Sequence, residues 1–186
     1  MTSGEINNRR PKGFTIWMTG LPGSGKSTIA SIVKAKLENG FNRYVEVLDG
    51  DEIRKGLSRD LGLSKEDREE HARRVSYLAK VLSRNGVVSI VALISPYKES
   101  RDNARELIGK DSFVEAYIKA SLATCEKRDP KGLYAKARRG EINNMTGIQD
   151  PYEAPDSPDI TVNTEVGTPE ESASELIQSL LKIGLL

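Results

Sequence analysis

The sequence predicts an α/β fold: a doubly wound, mostly parallel sheet with helices on both faces. Three observations predict it. Strand-length apolar runs alternate with segments of helical periodicity along the chain. One run, Val87–Ile94, is apolar almost without a break, as in a strand buried on both faces. Finally, a glycine loop, Gly20-Leu21-Pro22-Gly23-Ser24-Gly25-Lys26-Ser27-Thr28, joins a β-prone run to a helical one.

Taken in order, Phe14–Thr19 is apolar and reads as the first strand. A helix follows the glycine loop and runs to Asn39-Gly40. Arg43–Leu48 carries Tyr44, Val45, Val47 and Leu48 and reads as the second strand, with a short helix over Asp51–Ser58. A long helix begins at Ser64. Its serine can cap the end, Glu66 and Asp67 suit the positive N-terminus, and Ala72, Val75, Leu78, Ala79 and Leu82 form one apolar stripe. Asn85-Gly86 closes it. Beyond the central strand, Tyr97–Ile108 reads as helix, Phe113–Ala120 as strand and Leu122–Arg128 as a short helix. Gly132–Ile142 is basic and weakly apolar, so a helix there would have little to bury, and the segment reads as a mobile flap. Gly147–Pro158 holds three prolines and reads as extended; Asp159–Asn163 is the last strand. Thr168-Pro169-Glu170-Glu171 is a capping box with proline at the first helical position, and opens a final helix with Ala173, Leu176, Ile177, Leu180 and Leu181 on one face. The expected organisation is a flexible tail over residues 1–12 and a single domain over 13–186, with a lid at about 129–147.

The glycine loop matches G-x-x-x-x-G-K-[ST] in the strand–loop–helix setting that the motif requires. Glycines let successive N–H groups curl around a phosphate, and the helix N-terminus adds partial positive charge. The expected nucleotide-binding residues are Gly20, Gly23, Ser24, Gly25, Lys26, Ser27 and Thr28. Lys26 is expected to reach the β- and γ-phosphates, and the Ser27 hydroxyl to ligate Mg²⁺.

Composition narrows the function. Lys+Arg 28 against Asp+Glu 27 leaves a net charge of +1, which argues against a nucleic-acid or membrane partner. No N-K-x-D pattern reads guanine, so a GTP-dependent switch is disfavoured. The single cysteine, Cys125, cannot form an intrachain disulfide, and the N-terminus lacks the apolar core of a signal peptide; both fit a cytoplasmic protein. The one histidine, His71, and Cys125 have no evident partners for nucleophilic chemistry.

Asp49-Gly50-Asp51 ends the second strand, at the sheet edge that forms the ligand crevice in such folds. Two carboxylates there can hold Mg²⁺ or take a proton from an attacking hydroxyl, and Asp51 is the preferred residue. Asp49 can equally order the turn through backbone N–H groups. Ten arginines and lysines recur downstream: Arg54, Arg68, Arg73, Arg74, Arg101, Arg105, Arg128, Lys131, Arg138 and Arg139. A subset near the crevice would clamp a small anionic acceptor. Sequence physics does not choose the subset.

Six ordered blocks add to the glycine loop: Asp49-Gly50-Asp51-Glu52-Ile53-Arg54, Ser64 to Glu70, Ile94-Ser95-Pro96-Tyr97, Arg128 to Tyr134, Lys136 to Ile142 and Thr146 to Glu153. Together they resemble the adenylyl-sulfate kinase family, closely over Gly13 to Pro158. The resemblance implies a P-loop kinase fold with a mobile lid, a homodimer, a Mg²⁺ requirement, and transfer of the ATP γ-phosphate to the 3′-hydroxyl of adenylyl sulfate. It implies Lys26, Asp51 and Lys131 as catalytic residues, Ser27 and Asp51 at the metal, and Arg128 on the ATP side. The acceptor side would comprise Asp51, Arg54, Leu63, Arg68, His71, Ile94, Ser95, Lys131, Asn144 and Met145. Ser95 also matches a serine that is phosphorylated in some members. The donor adenine is expected around Thr164–Gly167.

Three positions depart from the family pattern. Leu63 and Met145 stand where phenylalanines sandwich the acceptor's adenine, and His71 stands where an asparagine contacts the acceptor. All three fall on the acceptor side. The alternative reading is therefore a paralogous P-loop kinase with another nucleotide-like anionic acceptor.

Overall fold

The computed structural model describes residues 12–186. Of the expected tail only Lys12 falls among them. Five strands form one sheet: β1 (Thr15–Thr19), β2 (Val45–Asp49), β3 (Val88–Ala92), β4 (Phe113–Lys119) and β5 (Ile160–Asn163). They lie in the order β2-β3-β1-β4-β5, and every pairing is parallel. Parallel neighbours need crossovers, and the helices supply them. These are α1 (Lys26–Phe41), α2 (Gly50–Lys55), α3 (Lys65–Arg84), α4 (Lys98–Ile108), α5 (Leu122–Arg128), α6 (Leu133–Arg138) and α7 (Pro169–Lys182).

Alternation along β1 divides the core. Phe14, Ile16 and Met18 pack with Ile29, Val33 and Leu37 of α1 and with Leu176 and Leu180 of α7. Trp17 points the other way, against Val75 and Ala79 of α3 and Ala104 of α4. Helices therefore cover both faces, as expected. A third, smaller cluster joins Ala120 and Cys125 to Tyr134, Ala137 and Met145.

Cap chemistry sets several element ends. Ser64 accepts from Asp67 N at the start of α3, and Thr168 and Glu171 form the full capping box of α7. Helix α1 runs past the expected Asn39-Gly40 stop to Phe41, whose ring packs on the main core, and closes at Asn42 in the left-handed region (φ 49°). Helix α2 stops short of the expected Ser58, because Gly56 N and Ser58 N both turn back to Ile53 O. The 132–142 segment differs most from expectation. It contains α6, which buries Tyr134 and Ala137 against the third cluster. Among the described residues no helix is long and apolar enough to cross a membrane.

Candidate active site

The C-terminal ends of β1, β2 and β3 open onto one cavity of about 600 Å³. The glycine loop forms one wall. Its conformation is available to glycine: Gly25, which precedes α1, has φ 102°, and a Cβ on Gly20 would stand 2.5 Å from Ile118 O. Gly23, Gly25, Lys26, Ser27 and Thr28 line the cavity, whereas Ser24 is buried behind them. Lys26 Nζ donates to Gly20 O (2.7 Å) and Leu21 O (2.8 Å). Burial lowers its pKa to about 8, against the opposing pull of Cys125 and Asp49.

Asp49 has two partners. Its Oδ1 accepts from Asp51 N (3.0 Å) and caps α2; its Oδ2 accepts from Ser27 Oγ (2.7 Å). Turn ordering and a carboxylate beside the metal-type hydroxyl thus fall to one residue. Asp51 instead faces Lys131, and its Oδ2 is ion-paired to Lys131 Nζ across 80 residues of chain. Lys131 lies in the segment leading to α6. The Asp129 carboxylate accepts from Tyr134 N and Ala135 N in the first turn of that helix, and the Tyr134 hydroxyl donates to Pro22 O (2.9 Å). The lid segment is thereby fastened to the glycine loop.

On the far side stand Arg54, Arg68 and His71, with Ile94, Ser95 and Pro96. Burial, and then the like charge of Arg68, lowers the Arg54 pKa, so the two guanidinium groups share one partly desolvated space. Arg54 Nη1 donates to Gly62 O (2.7 Å). Arg68 donates to Leu63 O (3.0 Å) and to Asn144 O (2.8 Å). His71 is only 4% exposed, and neither ring nitrogen has a hydrogen-bond partner among the described residues. Burial, reinforced by Arg54, Arg74 and Arg68, lowers its pKa to about 4, so the ring is neutral near pH 7.

Not every expected residue reaches the cavity. Leu63, 47% exposed, and Asn144 sit on its rim, joined by the Arg68 bridge, and do not line it. Met145 is 6% exposed and packs into the small cluster under the lid. Its apolar, unbranched side chain fits that gap. Arg128, Thr164 and Gly167, expected on the donor side, line one wall of the cavity, and Arg128 donates to Thr164 Oγ1 (3.1 Å). Sequence reasoning missed Asp49 as the partner of Ser27 and Tyr134 as the lid's anchor. The first was legible as a carboxylate ending the strand beside the loop. The second left no local signal.

A phosphate-binding loop, a carboxylate–lysine pair and two arginines around one cavity define a P-loop phosphotransferase. The Adenylylsulphate kinase family profile matches residues 12–163. An adenylyl-sulfate kinase of Halothermothrix orenii is 51% identical over 96% of this chain and 95% of its own length. One from Clostridium acetobutylicum is 52% identical over 92% of this chain and 84% of its own. The structure of the Mycobacterium tuberculosis APS kinase CysC in complex with AMPPNP and APS superposes with a TM-score of 0.87 at 45% identity, over 92% of this chain and 99% of that one. The chain belongs to the adenylyl-sulfate kinase family.

Proposed function

We propose that this chain transfers the γ-phosphate of ATP to the 3′-hydroxyl of adenylyl sulfate, giving 3′-phosphoadenylyl sulfate and ADP. One observation carries the reading: the glycine loop and the Arg54–Arg68–His71 wall line the same cavity, with Asp51 and Lys131 between them. The loop N–H groups and Lys26 hold the donor phosphates. Arg54 and Arg68 hold the acceptor's phosphate–sulfate end. Asp51 takes the hydroxyl proton as its oxygen forms the bond to phosphorus and the bond to ADP breaks. Lys131 brings positive charge to the same point and is the lid's contribution. Closure of residues 129–147 over both substrates keeps water from the γ-phosphate.

The residues present suit Mg²⁺, since Ser27 Oγ stands against the Asp49 carboxylate; Ser27 would hold the ion with Asp49 behind it, and Asp51 faces the acceptor side. Mg²⁺ supplies neutralisation of the phosphate charge. Ser95 is read as a contact residue rather than a phosphorylation site, because the residue is 5% exposed and its hydroxyl accepts from Trp17 Nε1 (3.0 Å). A cytoplasmic setting, supported by the free and buried Cys125 thiol, and a homodimer complete the proposal; sedimentation at micromolar protein checks the second.

Of the three residues that depart from the family pattern, His71 is the one that lines the cavity. Its ring nitrogens are buried without a hydrogen-bond partner among the described residues, so an acceptor group that reaches the ring would meet a neutral donor–acceptor pair. His71→Ala is expected to raise the acceptor KM about tenfold and leave the ATP KM unchanged. In wild type the acceptor KM should show no histidine ionisation between about pH 5.5 and 8, because the group titrates near 4. An inflection near 6.5 that His71→Ala removes would sink this reading.

The deciding experiment measures ADP formation with Mg²⁺ and ATP, with and without adenylyl sulfate, and identifies the product nucleotide. Strong dependence on adenylyl sulfate with a 3′-phosphorylated product is expected. ATP turnover indifferent to adenylyl sulfate overturns the assignment and points to another anionic acceptor.

A further inference from the structure

Behind the acceptor wall lies a buried polar network whose members, Ser95 apart, the chemistry above does not use. Its centre is Ser95, which adopts φ 43° although it is not glycine. Such a conformation persists only where its surroundings impose it. Here three residues do. Trp17 Nε1 of β1 donates to Ser95 Oγ (3.0 Å). Arg101 of α4, 2% exposed, donates through Nη1 to Ser95 O (2.8 Å) and through Nε to Glu115 Oε1 of β4 (2.7 Å). Thr19, the last residue before the glycine loop, donates to Ile94 O (2.7 Å).

The segment that follows the lid completes the clamp. Tyr152 Oη lies 3.0 Å from Thr19 Oγ1. Thr19 directs its single hydrogen at the Ile94–Ser95 carbonyls, so the tyrosine is the donor. The Tyr152 ring also stacks on Tyr117 of β4, with centroids 6.3 Å apart. Next to it, Glu153 N donates to Pro96 O (2.8 Å), and the Glu153 carboxylate accepts from Lys98 N (2.6 Å) at the first turn of α4. The 94–96 turn is thus gripped from behind by Arg101 and from the side by chain that leaves the lid.

We propose that Arg101 and Tyr152 are positioning residues that set the Ile94–Ser95–Pro96 turn in its acceptor-facing shape and tie it to the trailing end of the lid. Neither side chain is assigned contact with substrate; both act through the turn. The proposal rests on the functional reading above insofar as this wall serves the acceptor.

Two conservative variants test it. Tyr152→Phe keeps the ring stack and loses only the hydroxyl. Arg101→Lys keeps a cation for Glu115 but lacks the planar fork that reaches two partners. Each is expected to raise the acceptor KM about five- to tenfold with the ATP KM within about twofold. Amide exchange of residues 94–98 should accelerate about tenfold in Tyr152→Phe, with residues 23–28 unchanged. That second readout needs no substrate. If wild type ignores adenylyl sulfate, the functional assignment fails while the exchange result still judges the clamp. Unchanged exchange in 94–98, or an equal rise in both KM values, overturns the positioning role.

Discussion

Asp51→Asn is expected to lower kcat by about 10²–10⁴-fold, the range for loss of a positioned general base. ATP affinity should stay within about twofold, because the phosphate contacts proposed above come from the glycine loop and Lys26, not from Asp51. Stability should change by less than about 1 kcal/mol, since the Asp51 and Lys131 side chains are 65% and 58% exposed and exposed pairs contribute little. Lys131→Met removes the partner and should lower kcat also. The two losses should not add: one pair spans the junction between the sheet edge and the lid, and groups that act as a unit give sub-additive cycles. Steady-state kinetics on the two single variants and the double variant, with melting curves, make the check. Wild-type kcat in Asp51→Asn would remove Asp51 from the chemistry.

Lys26→Met should cost at least about 10³-fold in kcat/KM, comparable to deleting a preorganised charge-stabilising donor. The loss has two sources. The transferring phosphate loses a cation, and Gly20 O and Leu21 O lose the ammonium that holds them. Lys26 also imposes a pH dependence with a definite sign. Burial lowers its pKa to about 8, so the free protein carries the cation below that pH and loses it above. Bound phosphate favours the charged form and raises the pKa in the complex. ATP affinity should therefore be level up to about pH 8 and fall by up to about tenfold per pH unit beyond it, with proton uptake on binding. Calorimetry in buffers of differing ionisation enthalpy reads that uptake directly. Affinity that is level to pH 10 would show that the ammonium does not titrate in this range.

Much of this architecture is local in origin, which is why it was legible. The Ser64 cap, the Thr168–Glu171 box, the nearly continuous apolar run at Val87–Ile94 and the glycine loop each depend on residues a few positions apart. The ten basic residues were different. Arg74 answers Asp60 and Glu70, Arg101 answers Glu115, Arg105 answers Asp159 and Arg138 answers Glu126. Several of those partners are supplied by other elements, so composition could not separate structural arginines from Arg54 and Arg68 at the cavity. The same limit governs the lid. Gly132–Ile142 looks too polar to bury anything, yet Tyr134 finds its apolar seat beside Cys125 and its hydrogen-bond acceptor in Pro22, 112 residues earlier. Met145 likewise belongs to that seat, although its place in the motif suggested an adenine contact.

The small cluster of Ala120, Cys125, Tyr134, Ala137 and Met145 has a thermodynamic consequence. It is separate from the two cores that flank the sheet, so its melting need not melt them. A handful of side chains opens at a free energy well below that of the whole domain. Substitutions inside it should therefore change the local stability of residues 129–147 more than the global unfolding of the sheet.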